Sequence, residues 1–258
     1  MNVTFIAHSA FLVEWDKFYT LFDYTYEPDY TGALPELSGD KPLLVFSSHS
    51  HEDHFDAKVF TLLEKYPDTR FFVSRDTRLT ERKRQWLNIS DEAFARTTVL
   101  RPDSILLTDV AGEDLSIRAV KSTDIGNAYL LRCEGKMVYH GGDLNWWDWK
   151  SEGEAYCNNM AAHYRTAIEK LASAVENEAT DNAIAPEITA AMAPLDPRLG
   201  EESEGLGIEE LMRQIRVQHV FPMHMWKKYE VIDRYIAAHP AQKDAIARIT
   251  REGETFTI

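Results

Sequence analysis

The segment Ser48-His49-Ser50-His51-Glu52-Asp53-His54 places three of the chain's nine histidines and two carboxylates within six positions, 49–54. Neutral imidazole and ionised carboxylate are the donors that suit Zn²⁺ and similar divalent ions. Packing has no use for so many histidines together, so the chemistry indicated is metal binding rather than a solvated turn. His51-Glu52-Asp53-His54 approaches the H-E-x-x-H zinc signature, but its histidines are three residues apart rather than four. The segment also precedes a helix instead of lying in one, so that motif is rejected.

His49-x-His51-x-Asp53-His54 resembles the H-x-H-x-D-H signature of the metallo-β-lactamase-fold hydrolases. Further segments follow in the order that family shows. Ala7-His8-Ser9-Ala10-Phe11 and Leu21-Phe22-Asp23 resemble the start of its ascorbate-phosphate lactonase-like branch. His140-Gly141-Gly142-Asp143 resembles the strand-end Gly-Asp element, and Phe221-Pro222-Met223-His224 the late strand-end histidine. The resemblance spans about residues 2 to 226. It implies an α+β fold, the four-layer αββα metallo-β-lactamase sandwich, with one or two divalent ions at one edge between two sheets.

Carried over residue by residue, the resemblance implies one metal on His49 and His51, a second on Asp53, His54 and His224, and Asp143 bridging them. Zinc is the expected ion, with manganese or iron as alternatives. The family usually has a further histidine where this chain reads Lys121-Ser122-Thr123-Asp124-Ile125-Gly126. Asp124 could replace it, His8 could reach in from the first strand turn, or one site could be weak and a single metal suffice; the first is the reading preferred here. Asp23 and His140 are candidates to orient the ligands, against the plainer readings of a turn carboxylate and a strand-end packing residue. Trp146 and Trp147, with Trp149 beside them, follow Asp143 and are candidates for a substrate-facing wall or, as single residues, for core. Arg198 could hold an anionic substrate group, although a structural ion pair explains it more simply. His163, His219 and His239 carry no ligand pattern.

These residues need strand ends and loops to position them. Val3–Ala7, Phe11–Trp15 and Tyr19–Asp23 are short runs rich in aromatic and β-branched residues, and Leu43–Ser47 is a continuous apolar run, the mark of a buried strand. A helix is expected from Asp56 to Tyr66, a strand at Arg70–Ser74 and a polar helix over Asp76–Trp86. Residues 97–140 read as mostly β, with Glu134-Gly135 turning between Ala128–Cys133 and Lys136–His140. A long helix is expected at about 152–179, in a helical insertion of about 150–182. Ile188–Met192 reads as a strand, Gly207–Ile215 as a helix, Val217–Phe221 as a strand and Lys227–Ala238 as a helix. No repeat or linker interrupts the 258 residues, which read as one domain.

Composition narrows the function. Lys and Arg number 28 against 42 Asp and Glu, a net charge of −14. Nucleic-acid binding relies on cationic neutralisation of phosphates, so nucleic acid is a disfavoured partner, and the same excess disfavours an anionic membrane surface. The two cysteines form no framework, the N-terminus carries no signal-peptide pattern, and no run approaches a membrane span, so a cytoplasmic protein is expected. Within the family, His51 stands where oxygen-reducing diiron members carry glutamate. The implied reaction is attack of metal-activated hydroxide on a small-molecule ester, lactone or phosphoester, with Asp53 as a ligand able to accept a proton if only one ion is present. The alternatives are a phosphodiesterase or nuclease with the same metals, and a metal-binding protein that has lost catalysis. Self-association and the role of the long helix stay open.

Overall fold

The computed structural model describes residues 1–258. In the first half, β1 (Asn2–Ala7), β2 (Ala10–Glu14), β3 (Tyr19–Phe22), β4 (Leu43–Ser47), β5 (Thr69–Ser74) and β6 (Thr97–Leu100) are interrupted by α1 (Leu62–Lys65), α2 (Glu81–Trp86) and α3 (Asp91–Ala95). Four strands follow without a helix: β7 (Ile105–Val110), β8 (Glu113–Lys121), β9 (Asn127–Cys133) and β10 (Lys136–His140). Then come α4 (Glu154–Asn182), β11 (Glu187–Pro194), α5 (Leu206–Gln214), β12 (Arg216–Met223), α6 (Glu230–Ala238) and β13 (Glu254–Thr257).

The strands form two sheets, ordered β13-β1-β2-β3-β4-β5-β6 and β12-β11-β10-β9-β8-β7. β3 to β6 run parallel, as do β10, β11 and β12. β4 shows why its sequence is apolar throughout. Leu44 and Phe46 face the core between the sheets, while Leu43 and Val45 face Phe60, Leu62 and Leu63 on the outside. Both faces are covered, so the polar half of the usual alternation disappears. α4 and α5 pack on the far side of the second sheet. The result is the four-layer αββα sandwich.

α4 buries Met160, Tyr164, Ala167, Ile168, Leu171, Val175 and Ala179, a spacing of three and four that keeps one face inward. It is therefore an integral outer layer along most of its length; only its start, at Tyr156 and Met160, reaches the cavity described below. At Glu178 this face turns polar: the buried carboxylate accepts from Ser116, Arg118 and Arg132 and ties α4 to β8 and β9. No helix is long and apolar enough to cross a membrane.

Some local expectations shift. The helix expected over Asp76–Trp86 starts only at Glu81, because Arg78 takes a left-handed conformation (φ 48°) and Thr80 caps the Lys83 amide. The segment after Asp56 is a 3₁₀ turn that becomes α-helical only at Leu62. β13 pairs antiparallel with β1, closing the sheet edge with the end of the chain.

Candidate metal centre

Strand ends build the site. β1, β3 and β4 of one sheet, and β8, β10, β11 and β12 of the other, end on the same edge. They deliver His8, Asp23, the 49–54 loop, Asp124, Asp143, Asp196 and His224. Clefts outside the carboxyl ends of strands are the usual ligand sites of such sheets. The turns are tight: His8, Asp23 and His224 have φ values of 48°, 46° and 63°. Non-glycine residues in this region carry local strain and cluster at functional sites. Gly126 (φ 74°) lets the loop after β8 lie against β4. A Cβ there would sit 2.3 Å from the Ser48 carbonyl oxygen and 2.5 Å from the His49 Cβ.

Two donor clusters result, each with its ligand atoms within 4.8 Å of one another. His49, His51, Asp124 and Asp143 form one; His8, Asp53, His54 and His224 form the other. Asp143 faces both: Oδ2 is 3.5 Å from His49 Nε2, while Oδ1 is 3.2 Å from His54 Nε2 and 3.6 Å from His224 Nε2. Asp53 Oδ2 is 3.3 Å from His8 Nε2, 3.5 Å from His54 Nε2 and 3.6 Å from His224 Nε2. Asp124 Oδ2 lies 3.7 Å from His51 Nδ1, so this aspartate stands in the first cluster, where the usual histidine is missing. His8 stands in the second cluster, not beside that gap.

The outer partners decide which nitrogen of each histidine is bare. Asp23 is buried and accepts the Ser48 amide, the Ser48 hydroxyl and His54 Nδ1, each at 2.7 Å. Ser48 Oγ has one proton and gives it to Asp23. His49 Nδ1, 2.9 Å from the same oxygen, must then donate to it, which leaves His49 Nε2 unprotonated. Likewise Asp196 takes the Nδ1 proton of His224 at 2.9 Å. These carboxylate–histidine pairs orient ligands and raise their basicity. His140 acts one step further out. Its ring stacks on Phe22, Nε2 donates to the Ser9 carbonyl, and Nδ1 accepts the Gly142 amide next to Asp143.

Ten buried side-chain atoms have no hydrogen-bond partner, and three of them, His54 Nε2, His224 Nε2 and Asp143 Oδ1, lie in these clusters. Orphaned buried polar atoms are costly and rare, and here they converge, as ligands of a shared cation would. The charges agree. Burial alone would raise the Asp143 carboxyl, yet His54, His224 and His49 hold it well below the usual carboxylate range. Asp53 is depressed the same way by His224, His54 and His8, against its burial. His54, despite burial, is pushed well above its ordinary value by Asp143 and Asp23. Burial lowers His49 and His8 to about 4, so both rings are neutral and available as donors at neutral pH.

A cavity of about 510 Å³ opens over the clusters. Trp147 lines it, and its indole N–H is held by the Asp143 carbonyl at 3.0 Å. Trp146 does not. It packs near Tyr164 with Arg165 over its ring, because adjacent residues in this loop point to opposite sides. The wall is completed by Trp149, Tyr156, Met160, Arg198 and Trp226. Sequence reading missed two contributors. Neither Asp196 nor Trp226 is among the residues the sequence singles out. The available signal was that Asp196 ends a strand two residues before Arg198, just as Asp23 and Asp143 end strands.

The comparisons with known proteins agree with this architecture. A family model described as beta-lactamase superfamily domain matches residues 2–148. No curated protein matches the sequence. Among solved structures, a metallo hydrolase from the hyperthermophilic archaeon Ignicoccus hospitalis superposes with a TM-score of 0.61 at 19% identity, over 100% of this chain and 98% of that one. An isothiocyanate hydrolase from Delia radicum gut bacteria gives 0.57 at 12% identity, over 100% and 99%. A diiron beta-hydroxylase from Streptomyces venezuelae gives 0.60 at 9% identity; it covers all of this chain, which spans 54% of that longer one. At these identities the likeness is one of fold.

Proposed function

The chain belongs to the beta-lactamase superfamily domain family, and we propose that it is a metal-dependent hydrolase of a small-molecule ester, lactone or phosphoester. The observation that carries this reading is the convergence of the unpartnered, buried His54 Nε2, His224 Nε2 and Asp143 Oδ1 at the floor of an open cavity. In this reading His49, His51 and Asp124 hold one ion, Asp53, His54 and His224 with His8 beside them hold the other, and Asp143 spans both. Bound divalent ions, zinc first and manganese or iron as alternatives, would supply Lewis acidity and a water ionised near neutral pH. The chain's own residues do the rest. Asp23, Asp196 and Ser48 hold the Nδ1 atoms of His54, His224 and His49 and so turn their Nε2 atoms to the site, and Asp53, ionised throughout the neutral range, would accept a proton if only one ion is present. Trp147, Trp149 and Trp226 line the cavity.

The acidic composition and the two free cysteines, Cys133 and Cys157, support a small-molecule enzyme of a reducing, cytoplasmic setting over one acting on nucleic acid. The test is elemental analysis of the purified protein, followed by assays on 4-nitrophenyl acetate, γ-butyrolactone and bis-4-nitrophenyl phosphate with Zn²⁺, Mn²⁺ or Fe²⁺ supplied. Metal-dependent turnover of ester or lactone, abolished in a folded His51→Ala/Asp143→Ala double variant, supports the reading. Cleavage of the phosphodiester alone would make it a phosphodiesterase, and bound metal with no turnover a non-catalytic metal protein. Full turnover in the double variant overturns the mechanism.

A further inference from the structure

We propose that Arg198 is the specificity-determining residue of the cavity and that the substrate carries an oxyanion, a carboxylate or phosphate, away from its scissile bond. The proposal rests on the hydrolase reading for the word substrate, and on the geometry below for the anion. Arg198 is the only lysine or arginine on the cavity wall. The wall's carboxylates Asp53, Asp124 and Asp143 all belong to the donor clusters. An anionic ligand therefore has one fixed side-chain cation to meet.

The guanidinium is held in place. Nε and Nη2 both bond Asp196, and its central carbon lies 4.2 Å from the Trp226 ring centroid and 5.5 Å from that of Trp149. Asp196 is itself fully buried and shared with His224 Nδ1 and with the Trp226 indole N–H at 3.2 Å. One carboxylate thus fixes a ligand histidine, a wall tryptophan and the arginine in a single register. A structural ion pair would account for the Nε and Nη2 bonds. It leaves the Nη1 donors without a protein partner, on a side chain that is 41% exposed on the cavity wall and so open to a ligand. Guanidinium offers five donors in a rigid fork suited to planar oxyanions. The Trp226 and Trp149 rings pack against it without consuming that capacity. Trp147 and Tyr156 on the same wall would lie along the apolar body of the ligand.

The test uses a binding readout that needs no turnover. Benzoate and phenyl phosphate are compared with their neutral analogue benzamide by quenching of tryptophan fluorescence, in the metal-loaded wild-type, Arg198→Met and Arg198→Lys proteins. We expect at least one oxyanion to bind the wild type about tenfold or more tighter than benzamide, the scale of one charge-assisted hydrogen bond. That ratio should collapse in Arg198→Met and recover in part in Arg198→Lys; the better of the two oxyanions names the group. Absence of a preference in the wild type overturns the proposal. So does a preference that Arg198→Met leaves intact, which would mean that the anion sits on the metals. Kinetics separate the two layers. Turnover without anion selectivity sinks only the Arg198 assignment; selective binding by a protein that hydrolyses nothing sinks the hydrolase reading and leaves the anion site standing.

Discussion

Replacing Asp23 with Asn should weaken metal binding at the His54 cluster by about 10- to 100-fold while leaving the fold intact. Asp23 accepts three bonds of 2.7 Å, from the Ser48 amide, the Ser48 hydroxyl and His54 Nδ1. Asparagine has one acceptor oxygen. If that oxygen keeps the Ser48 amide, the –NH₂ group faces the Ser48 hydroxyl and His54 Nδ1. His54 then has two options. It can keep its Nδ1 proton against another donor, losing a charge-assisted bond of about 1.5–3 kcal/mol. Or it can move the proton to Nε2, the nitrogen that faces Asp143 and Asp53, and cease to be a ligand. At about 1.4 kcal/mol per tenfold, the first option costs about 10- to 150-fold. The usual effect of removing a carboxylate behind a ligand histidine, about 10- to 100-fold, agrees.

The assay is competition against a chromophoric zinc chelator, with circular dichroism in excess chelator to confirm folding. ¹⁵N-histidine spectra add a direct readout: the His54 proton should sit on Nδ1 in the wild type and shift toward Nε2 in the variant. A folded Asp23→Asn protein with zinc affinity within about threefold of wild type and an unchanged His54 tautomer would refute the reasoning, because the buried carboxylate would then not control the ring.

Three further outcomes are expected. In chelator, facing carboxylates hold His54 and His224 above their ordinary pKa, a contribution to stability present below about pH 6.5 and lost as pH rises through the folded values; metal must displace those protons, so zinc affinity should rise from pH 6 to pH 8, and an affinity that stays flat or falls over that range would contradict the charge assignment. Asp124→Ala should lower zinc occupancy at the His49 cluster and His8→Ala should weaken the other, each leaving the opposite site filled, so that loss of all bound zinc in either single variant would merge the two sites into one. Glu178→Ala, far from the metals, should cost about 3 kcal/mol in urea unfolding by stranding Arg118 and Arg132, with zinc affinity unchanged; a loss below about 0.5 kcal/mol would make the α4 anchor dispensable.

What could be read in advance follows from the range of each physical signal. β4 was legible because burial on both faces leaves an unbroken apolar run, and the histidine loop because its donors are adjacent in sequence. Asp143 and His224 were legible as strand-end residues of a resembling family. Asp196 was not: its partner His224 lies 28 residues on, and only the parallel pairing of β11 with β12 brings the two strand ends together. Trp146 and Trp147 could not be told apart, since the choice of side depends on Tyr164 and Arg165 of a helix not yet placed. The role of His8 was ambiguous for the same reason. Its turn could face either cluster until β1 took its place beside β2 and His8's carbonyl accepted the His224 amide.

The candidate site draws on residues from both parts of the chain. The family match ends at residue 148, after Asp143 but before Asp196, Arg198 and His224. Those three depend on β11 and β12, which extend the second sheet by parallel pairing with β10 through Val138, Tyr139 and His140. Without them Asp143 Oδ1 and His54 Nε2 would lose the facing His224. Three acids, Asp53, Asp143 and Asp124, would then crowd a site with fewer imidazoles to balance them. The residues after 148 are thus needed twice, once to complete the cover of Phe5 and Phe11 through Tyr229 and Phe221, and once to bring His224 and Arg198 to the acidic sheet edge.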